Sequence, residues 1–266
     1  MNSKSLGVFL SIALVLAACG QGEGGSVHVG PDEALIQITS EGGFVPVEFA
    51  LGQGPRYTLL GDGTLIYPGV TTLEFPGGLI PPYYVAQLSD SQLNALLAMV
   101  DDMGLGDIVD ESDDDAADFV ADASTEVIRY WDESGEHRYA VYALGIEEDP
   151  AKRNAAFLEL ISTLDEFTAQ TPGEPYEPDR VRIVAGPGTE NPDFADTRPW
   201  PLDEEWGQWE ALANDWQCRV YDADALATFE GATQATTWEM PDGGFDFDPA
   251  TLLVRPLHPG EPDCPS

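Results

Sequence analysis

A proline-rich stretch roughly two thirds of the way along the chain restricts folding more than any other feature. Residues 171–178 read Thr-Pro-Gly-Glu-Pro-Tyr-Glu-Pro and hold three prolines. Proline lacks a backbone N–H and clashes with the preceding turn of a helix, so this stretch interrupts both helices and inner strands. We therefore predict a linker at residues 171–179, between a first unit (34–170) and a second, smaller unit (180–266).

The first unit begins with a hairpin and a helix. Asp62-Gly63 lies between two short runs rich in Tyr, Thr, Leu and Ile, and this is the strongest short-range hairpin signal. A helix is predicted next, because Ser89 and Gln92 have the spacing of a capping box and Gly104 is placed to end the helix.

The pattern then repeats. A second hairpin is predicted within residues 125–144, and Asp149-Pro150 is a typical start for a second helix. The order hairpin, helix, hairpin, helix predicts an α+β fold, in which antiparallel sheet carries helices on one face. The second unit is predicted to be a smaller α+β unit with strands at 181–185, 218–221, 236–240 and 252–255 and a short helix at 224–232.

The amino terminus has the form of an export signal. Lys4 precedes an apolar run, residues 6–16, which is too short to span a bilayer but has the length of a signal-peptide core. The next residues complete the sequence Leu16-Ala17-Ala18-Cys19, which resembles the lipobox of bacterial lipoproteins. An ordinary secretory peptide with a cysteine at its cleavage region is the alternative.

The lipobox resemblance implies an address for the chain. Residues 1–18 would be a signal peptide, and Cys19 would carry a diacylglyceryl group and fatty acid such as palmitate. A diacylated cysteine provides the two chains that stable anchoring needs. Residues 19–33 begin with a Gly-rich polar segment, which predicts a flexible tether. We expect a lipid-anchored protein of the cell membrane that faces away from the cytoplasm.

The three cysteines fit this address. If lipid modifies Cys19, then Cys218 and Cys264 remain, and in an oxidising compartment they are expected to form a disulfide. A metal-binding or nucleophilic pair is the alternative, but the two cysteines lack CxxC spacing and no histidine is placed to complete a zinc site.

The charge of the chain limits its partners. It has 48 acidic residues against 11 basic ones, and the signal peptide would remove one of the lysines. Nucleic acid is excluded as a ligand, because binding to phosphates needs clustered Lys and Arg.

One acidic tract, residues 101–122, is a candidate for chemistry. Asp113, Asp114 and Asp115 are its candidate calcium ligands, because hard oxygen ligands bind Ca²⁺. The tract does not match the EF-hand register, however, and like charges at this density repel one another. A solvated, mobile loop without bound metal is the favoured interpretation.

The tryptophans Trp200, Trp206, Trp209 and Trp216 crowd into one part of the second unit. They suggest either stacking on carbohydrate or core packing. Core packing is favoured, because residues three apart share one face of a helix.

Several stretches resemble a known family. They are Gly42-Gly43-Phe44-Val45-Pro46, residues 57–64 (Tyr-Thr-Leu-Leu-Gly-Asp-Gly-Thr), and Arg255-Pro256-Leu257-His258-Pro259 with Cys264. Together they are similar to uncharacterised secreted lipoproteins of high-GC Gram-positive bacteria, and the first half is similar to a small domain of unknown function. These stretches are turns and strand ends, so the resemblance implies a fold and no catalytic residues.

No catalytic motif is present in the sequence. Its histidines, His28, His137 and His258, are far apart, and there is no nucleophile elbow, no P-loop and no GxGxxG at a strand-to-helix junction. We expect a non-enzymatic binding or interaction module without a cofactor, whose partner is a cell-envelope protein or glycan. The alternative is an envelope hydrolase that uses paired carboxylates, with or without Ca²⁺.

Overall fold

The computed structural model describes residues 29–71, 75–115, 119–146, 150–189, 192–202 and 208–265. The predicted signal peptide (1–18), Cys19 and most of the predicted tether lie outside these ranges. No helix within them is long and apolar enough to cross a membrane.

The described residues form two sheets and three α-helices. The strands of the first sheet are β1 (Ala34–Gly42), β2 (Tyr57–Leu60), β3 (Thr64–Pro68), β4 (Tyr83–Gln87), β5 (Asp110–Asp113), β6 (Ser124–Asp132), β7 (Gly135–Tyr142) and β8 (Glu174–Pro175). The strands of the second are β9 (Arg180–Pro187), β10 (Asp196–Pro199), β11 (Glu210–Ala211), β12 (Gln217–Asp222), β13 (Thr236–Glu239) and β14 (Ala250–Pro256). The helices are α1 (Val47–Gly52), α2 (Asp90–Met103) and α3 (Lys152–Gln170).

The predicted α+β class is confirmed. The strand order is β5-β7-β6-β1-β2-β3-β4-β8 in the first sheet and β10-β13-β14-β9-β12-β11 in the second. Both predicted hairpins are present, as β2–β3 and β6–β7. Antiparallel pairing was expected in the first unit, but each sheet is mixed, because β5 runs parallel to β7 and β10 runs parallel to β13.

One face of the first sheet is covered by α2 and α3, as the sequence predicts. Helix α2 begins and ends for the expected local reasons: Ser89 and Gln92 form its capping box, and Gly104 closes it in the left-handed conformation. Helix α3 was expected to begin with Asp149 as its cap and Pro150 as its first residue, but it begins at Lys152, with Ala151 as the N-cap and no side-chain cap. The core under the helices includes Ile38, Leu96 and Phe157, each almost fully buried.

The two sheets are interlocked by segments of the first half of the chain. The short helix α1 packs against the second sheet, where Val47 and Leu51 contact Val184 and Trp216. Leu79 lies in the core on the other face of that sheet and donates its backbone N–H to the carbonyl of Ala232. Both faces of the second sheet are therefore buried in part by the first half.

Some predicted elements differ from the structure. The helix expected at 224–232 is instead a 3₁₀ helix at Ala223–Phe229. Within the predicted linker, β8 pairs with β4 at the sheet edge, a position that tolerates proline. Part of the acidic tract expected to be a mobile loop forms β5, whose backbone is paired with β7. Whether such a segment pairs as a strand depends on its tertiary context, and the charge of its side chains does not indicate this.

The predicted disulfide is confirmed. Cys218 is buried on β12 and is bonded to Cys264, with Cα atoms 5.9 Å apart. Cys264 belongs to a segment, residues 257–265, that follows β14 and that we call the tail. The bond therefore fixes the tail to the second sheet.

Candidate ligand-binding cleft

Two arginines lie side by side on the second sheet. Arg182 of β9 and Arg255 of β14 are register partners, so their side chains point to the same face. Both interrupt strands that are otherwise mostly apolar, and both side chains are buried, with 5% and 3% of their surface exposed. Like charges placed directly opposite each other on a sheet are destabilising, so this pair needs compensation from another element.

The tail supplies one carboxylate between them. Arg255 donates to both oxygens of Glu261, from Nη2 to Oε1 at 2.6 Å and from Nη1 to Oε2 at 2.9 Å. The nearest Arg182 nitrogen is 3.9 Å from Glu261 Oε1. Burial would raise the pKa of Glu261, but the bond and charge of Arg255 hold it below its ordinary value. This carboxylate is ionised and already engaged, the opposite of what a general acid requires.

Arg182 is otherwise held by neutral groups. Its Nε donates to the carbonyl of Asp263 at 2.8 Å, and its Nη2 donates to the carbonyl of Pro262. Burial and the neighbouring Arg255 lower the pKa of Arg182 to about 10, so it is still charged at neutral pH. Among the described residues, the two buried cations share Glu261 as their one buried anion. The exposed carboxylate of Asp263 also acts on Arg182 but is paired with Arg180, so the buried cluster keeps one positive charge in excess.

Each arginine has a donor that the protein leaves unused. Arg255 Nε is buried without a hydrogen-bond partner. Within the described ranges, no residue accepts a hydrogen bond from Arg182 Nη1. An unpaired buried donor costs roughly 1–3 kcal/mol, and more when the group is charged.

These arginines line a cleft between the two sheets, with a volume of about 350 Å³. Its other walls are the outer half of β1, the end of α1 with the residues up to Pro55, Arg129 of β6, and the tail. Thr39, Ser40 and Gln53 contribute hydroxyl and amide groups. Among the described residues that line it, none has an aromatic or a long aliphatic side chain.

A buried polar joint beside the cleft holds the two sheets together. His258 of the tail lies with its Nδ1 3.0 Å from Thr58 Oγ1 of β2, between the rings of Tyr83 and Tyr176. Burial lowers the pKa of His258 to about 4, so the imidazole is neutral at neutral pH. Gln37 of β1 adds a hydrogen bond from its amide to the carbonyl of Pro259 at 3.3 Å.

The acidic tract lies in a different cavity of about 620 Å³. Its groups are satisfied by one another: Asn154 donates to Asp113 Oδ2 at 2.8 Å, and Arg153 is paired with Glu111 at 2.5 Å. Asp114 and Asp115 are exposed. No three His, Cys, Asp or Glu side chains gather into a possible metal site in the described part of the chain. Although this cavity is larger, its polar groups offer less to a ligand than the arginine cleft.

The structure separates the sequence-derived candidates. Cys19, Trp206 and Asp149 lie outside the described residues. Trp209 and Trp216 are buried, which confirms the core-packing interpretation for both.

The cleft residues were missed by the sequence analysis. Arg182, Arg255 and Glu261 carry no motif. The available signal was a basic residue inside each of two apolar strands, 181–185 and 252–255, in a chain with only 11 basic residues. A charge in such a strand is rarely buried unless it is paired.

Comparison with protein-family models, with curated proteins and with solved structures finds no match to this chain.

Proposed function

We propose that this chain is a lipid-anchored protein on the outer side of the cell membrane that binds a cell-envelope component in the arginine cleft without altering it chemically. The predicted lipobox cysteine, Cys19, supplies the anchor, and the Gly-rich residues after it supply the reach. The disulfide between Cys218 and Cys264 agrees with an oxidising compartment outside the cytoplasm.

The single observation that carries the binding role is the excess of buried, unsatisfied positive charge. Arg182 and Arg255 line a cavity and share one carboxylate, and no described residue accepts a hydrogen bond from Arg182 Nη1. A buried ion pair is rarely net stabilising even when it is fully paired, and an uncompensated charge is strongly unfavourable. Such an arrangement gains free energy when a ligand enters and supplies the missing acceptor and charge.

Blocking the cleft tests this function. Ala50 is an exposed residue of α1 that lines the cleft and has no polar side-chain atom to bond the arginines, so Ala50→Trp should obstruct the cleft and leave the fold intact. Glu48→Trp places the same side chain on an exposed position of the same helix, away from the cleft, and is the matched control.

The measurement is thermal unfolding of the mature chain with soluble glycan and protein fractions of the organism's own cell envelope. A ligand that binds only the folded state raises the melting temperature by mass action. We expect at least one fraction to raise it for the wild type and for Glu48→Trp but not for Ala50→Trp. Stabilisation that is equal in all three proteins, or absent from all fractions, would contradict the proposal.

A further inference from the structure

We infer that the ligand of the arginine cleft is a hydroxylated monocarboxylate of the uronic-acid type, a carboxylate on a sugar ring. This inference rests on the proposed binding function and names its ligand class. It follows from three properties of the cleft: its net charge, its unused donors and the chemistry of its walls.

The charge of the inner cleft matches one carboxylate. Arg182 and Arg255 carry two positive charges, and Glu261 carries one negative charge. One further negative charge makes the buried cluster neutral. A phosphate monoester, with a charge of about −1.5 to −2 at neutral pH, would place excess negative charge beside Glu261. A neutral sugar would leave the excess positive charge buried.

The unused donors also match a carboxylate. Arg182 Nη1 carries two N–H groups that no described residue accepts, and a carboxylate oxygen is an acceptor for them, whereas Arg255 Nε is fully buried and has no surface open to the cleft. Hydrogen bonds between guanidinium and carboxylate are charge-assisted and about twice as strong as neutral ones. The long-range repulsion from the acidic chain is screened over about 8 Å at physiological ionic strength, so these two guanidinium groups dominate the field inside the cleft.

The walls favour a hydroxylated body on that carboxylate. Gln37, Thr39, Ser40 and Gln53 are polar lining residues with hydroxyl or amide groups, and the other lining residues are charged or small. A peptide that bound through its C-terminal carboxylate would bring an apolar or aromatic side chain, for which the described walls provide no apolar pocket. The volume of about 350 Å³ falls in the range of about 300–1,000 Å³ that is usual for small-ligand sites.

Isothermal titration calorimetry of the mature chain with glucuronate tests the ligand class. Glucose, inorganic phosphate and the peptide acetyl-Ala-Ala-Ala are titrated in parallel, under the same salt and pH. We expect saturable binding of glucuronate below about 10 mM. Glucose, phosphate and the peptide should each bind at least about tenfold more weakly: glucose because it lacks the charge-assisted hydrogen bond, phosphate because its larger negative charge lies beside Glu261, and the peptide because it lacks the ring hydroxyls that the polar walls match.

Three variants locate the binding. Ala50→Trp should abolish the glucuronate signal, and Glu48→Trp should retain it. Arg182→Lys keeps the charge but removes the planar guanidinium, and it should weaken glucuronate by at least about tenfold if its unfolding transition is preserved. Replacing a buried arginine can unfold a chain. The location of the binding site is therefore decided by the Ala50→Trp and Glu48→Trp pair alone.

The outcomes separate this inference from the function on which it rests. Equal binding of glucose, tighter binding of phosphate or of the peptide, or glucuronate binding that survives Ala50→Trp would overturn the uronate assignment. If glucuronate does not bind, but an envelope fraction still stabilises the wild type and not Ala50→Trp, the ligand class is wrong and the binding function stands. If neither glucuronate binding nor stabilisation by an envelope fraction is observed, both the ligand class and the binding function are wrong.

Discussion

Mild acid should destabilise this protein through His258. Its imidazole is 1% exposed, and burial lowers its pKa from 6.5 to about 4. In the unfolded chain the same group takes up a proton near pH 6.5, so between pH 6.5 and pH 4 the unfolded state binds more protons than the folded state. Stability therefore falls as the pH falls through this window. The full loss is about 3 kcal/mol, because one pH unit of pKa difference corresponds to about 1.36 kcal/mol.

The replacement His258→Gln isolates this contribution. Glutamine does not titrate and can keep a hydrogen bond to Thr58. The free energy of unfolding is measured by urea denaturation at pH 7 and pH 4 for both proteins. The many carboxylates destabilise both in acid, so the difference between the proteins reports His258 alone. The wild type should lose about 3 kcal/mol more than the variant between the two pH values.

His137 provides a control of opposite sign. Burial alone would lower its pKa, but its bonds to the Ile108 carbonyl and to Asp132 raise it above 6.5. The stability from this pair is present below pH 6.5 and is lost as the pH rises through the folded pKa. His137→Gln should therefore lose more stability relative to the wild type in acid than at neutral pH. If the wild type and His258→Gln respond to acid equally, or the difference has the reverse sign, the reasoning about the polar joint is refuted.

Three further predictions concern the disulfide, a helix cap and the anchor. Replacing Cys218 and Cys264 with Ala should lower the free energy of unfolding by about 4 kcal/mol, the chain-entropy value for a sequence separation of 46, as measured by urea denaturation; no change would contradict the role of the bond in fixing the tail. Ser89→Ala should cost about 1 kcal/mol in the same assay, because it removes the capping box of α2, whereas Ser91→Ala within the helix should cost less. Cys19→Ser should abolish labelling by a fatty-acid analogue and release the protein from the detergent phase, and equal labelling of both forms would rule out the lipobox.

The sequence predicted those elements whose signals are local. The Asp62-Gly63 turn, the Ser89 cap and the helical spacing of Phe157, Leu160 and Ile161 each depend on residues a few positions apart, and all three are found in the structure. Elements that depend on distant partners were missed or misread. The strand β5 exists because its backbone pairs with β7, and α1 exists on the surface of a sheet formed mainly by the second half of the chain.

The cleft could not be predicted for the same reason. Arg182 and Arg255 become neighbours only through the β9–β14 register, and Glu261 reaches them only because the tail folds back along the sheet. Nothing in the sequence indicates a partner for Glu261 or a role for His258. The disulfide was accessible to sequence reasoning because cysteine chemistry leaves few pairings, whereas an arginine has many carboxylates to choose from in a chain with 48 acidic residues.

The most direct test of the account is a crystal structure of the mature chain grown with glucuronate. It should show the ligand in the cleft between the sheets, with its carboxylate within hydrogen-bonding distance of Arg182 Nη1 and with the Arg255–Glu261 pair still in place. An unoccupied cleft at saturating glucuronate, or a ligand bound elsewhere with Arg182 Nη1 satisfied by a protein group, would contradict the central claim that this cleft is an anion site.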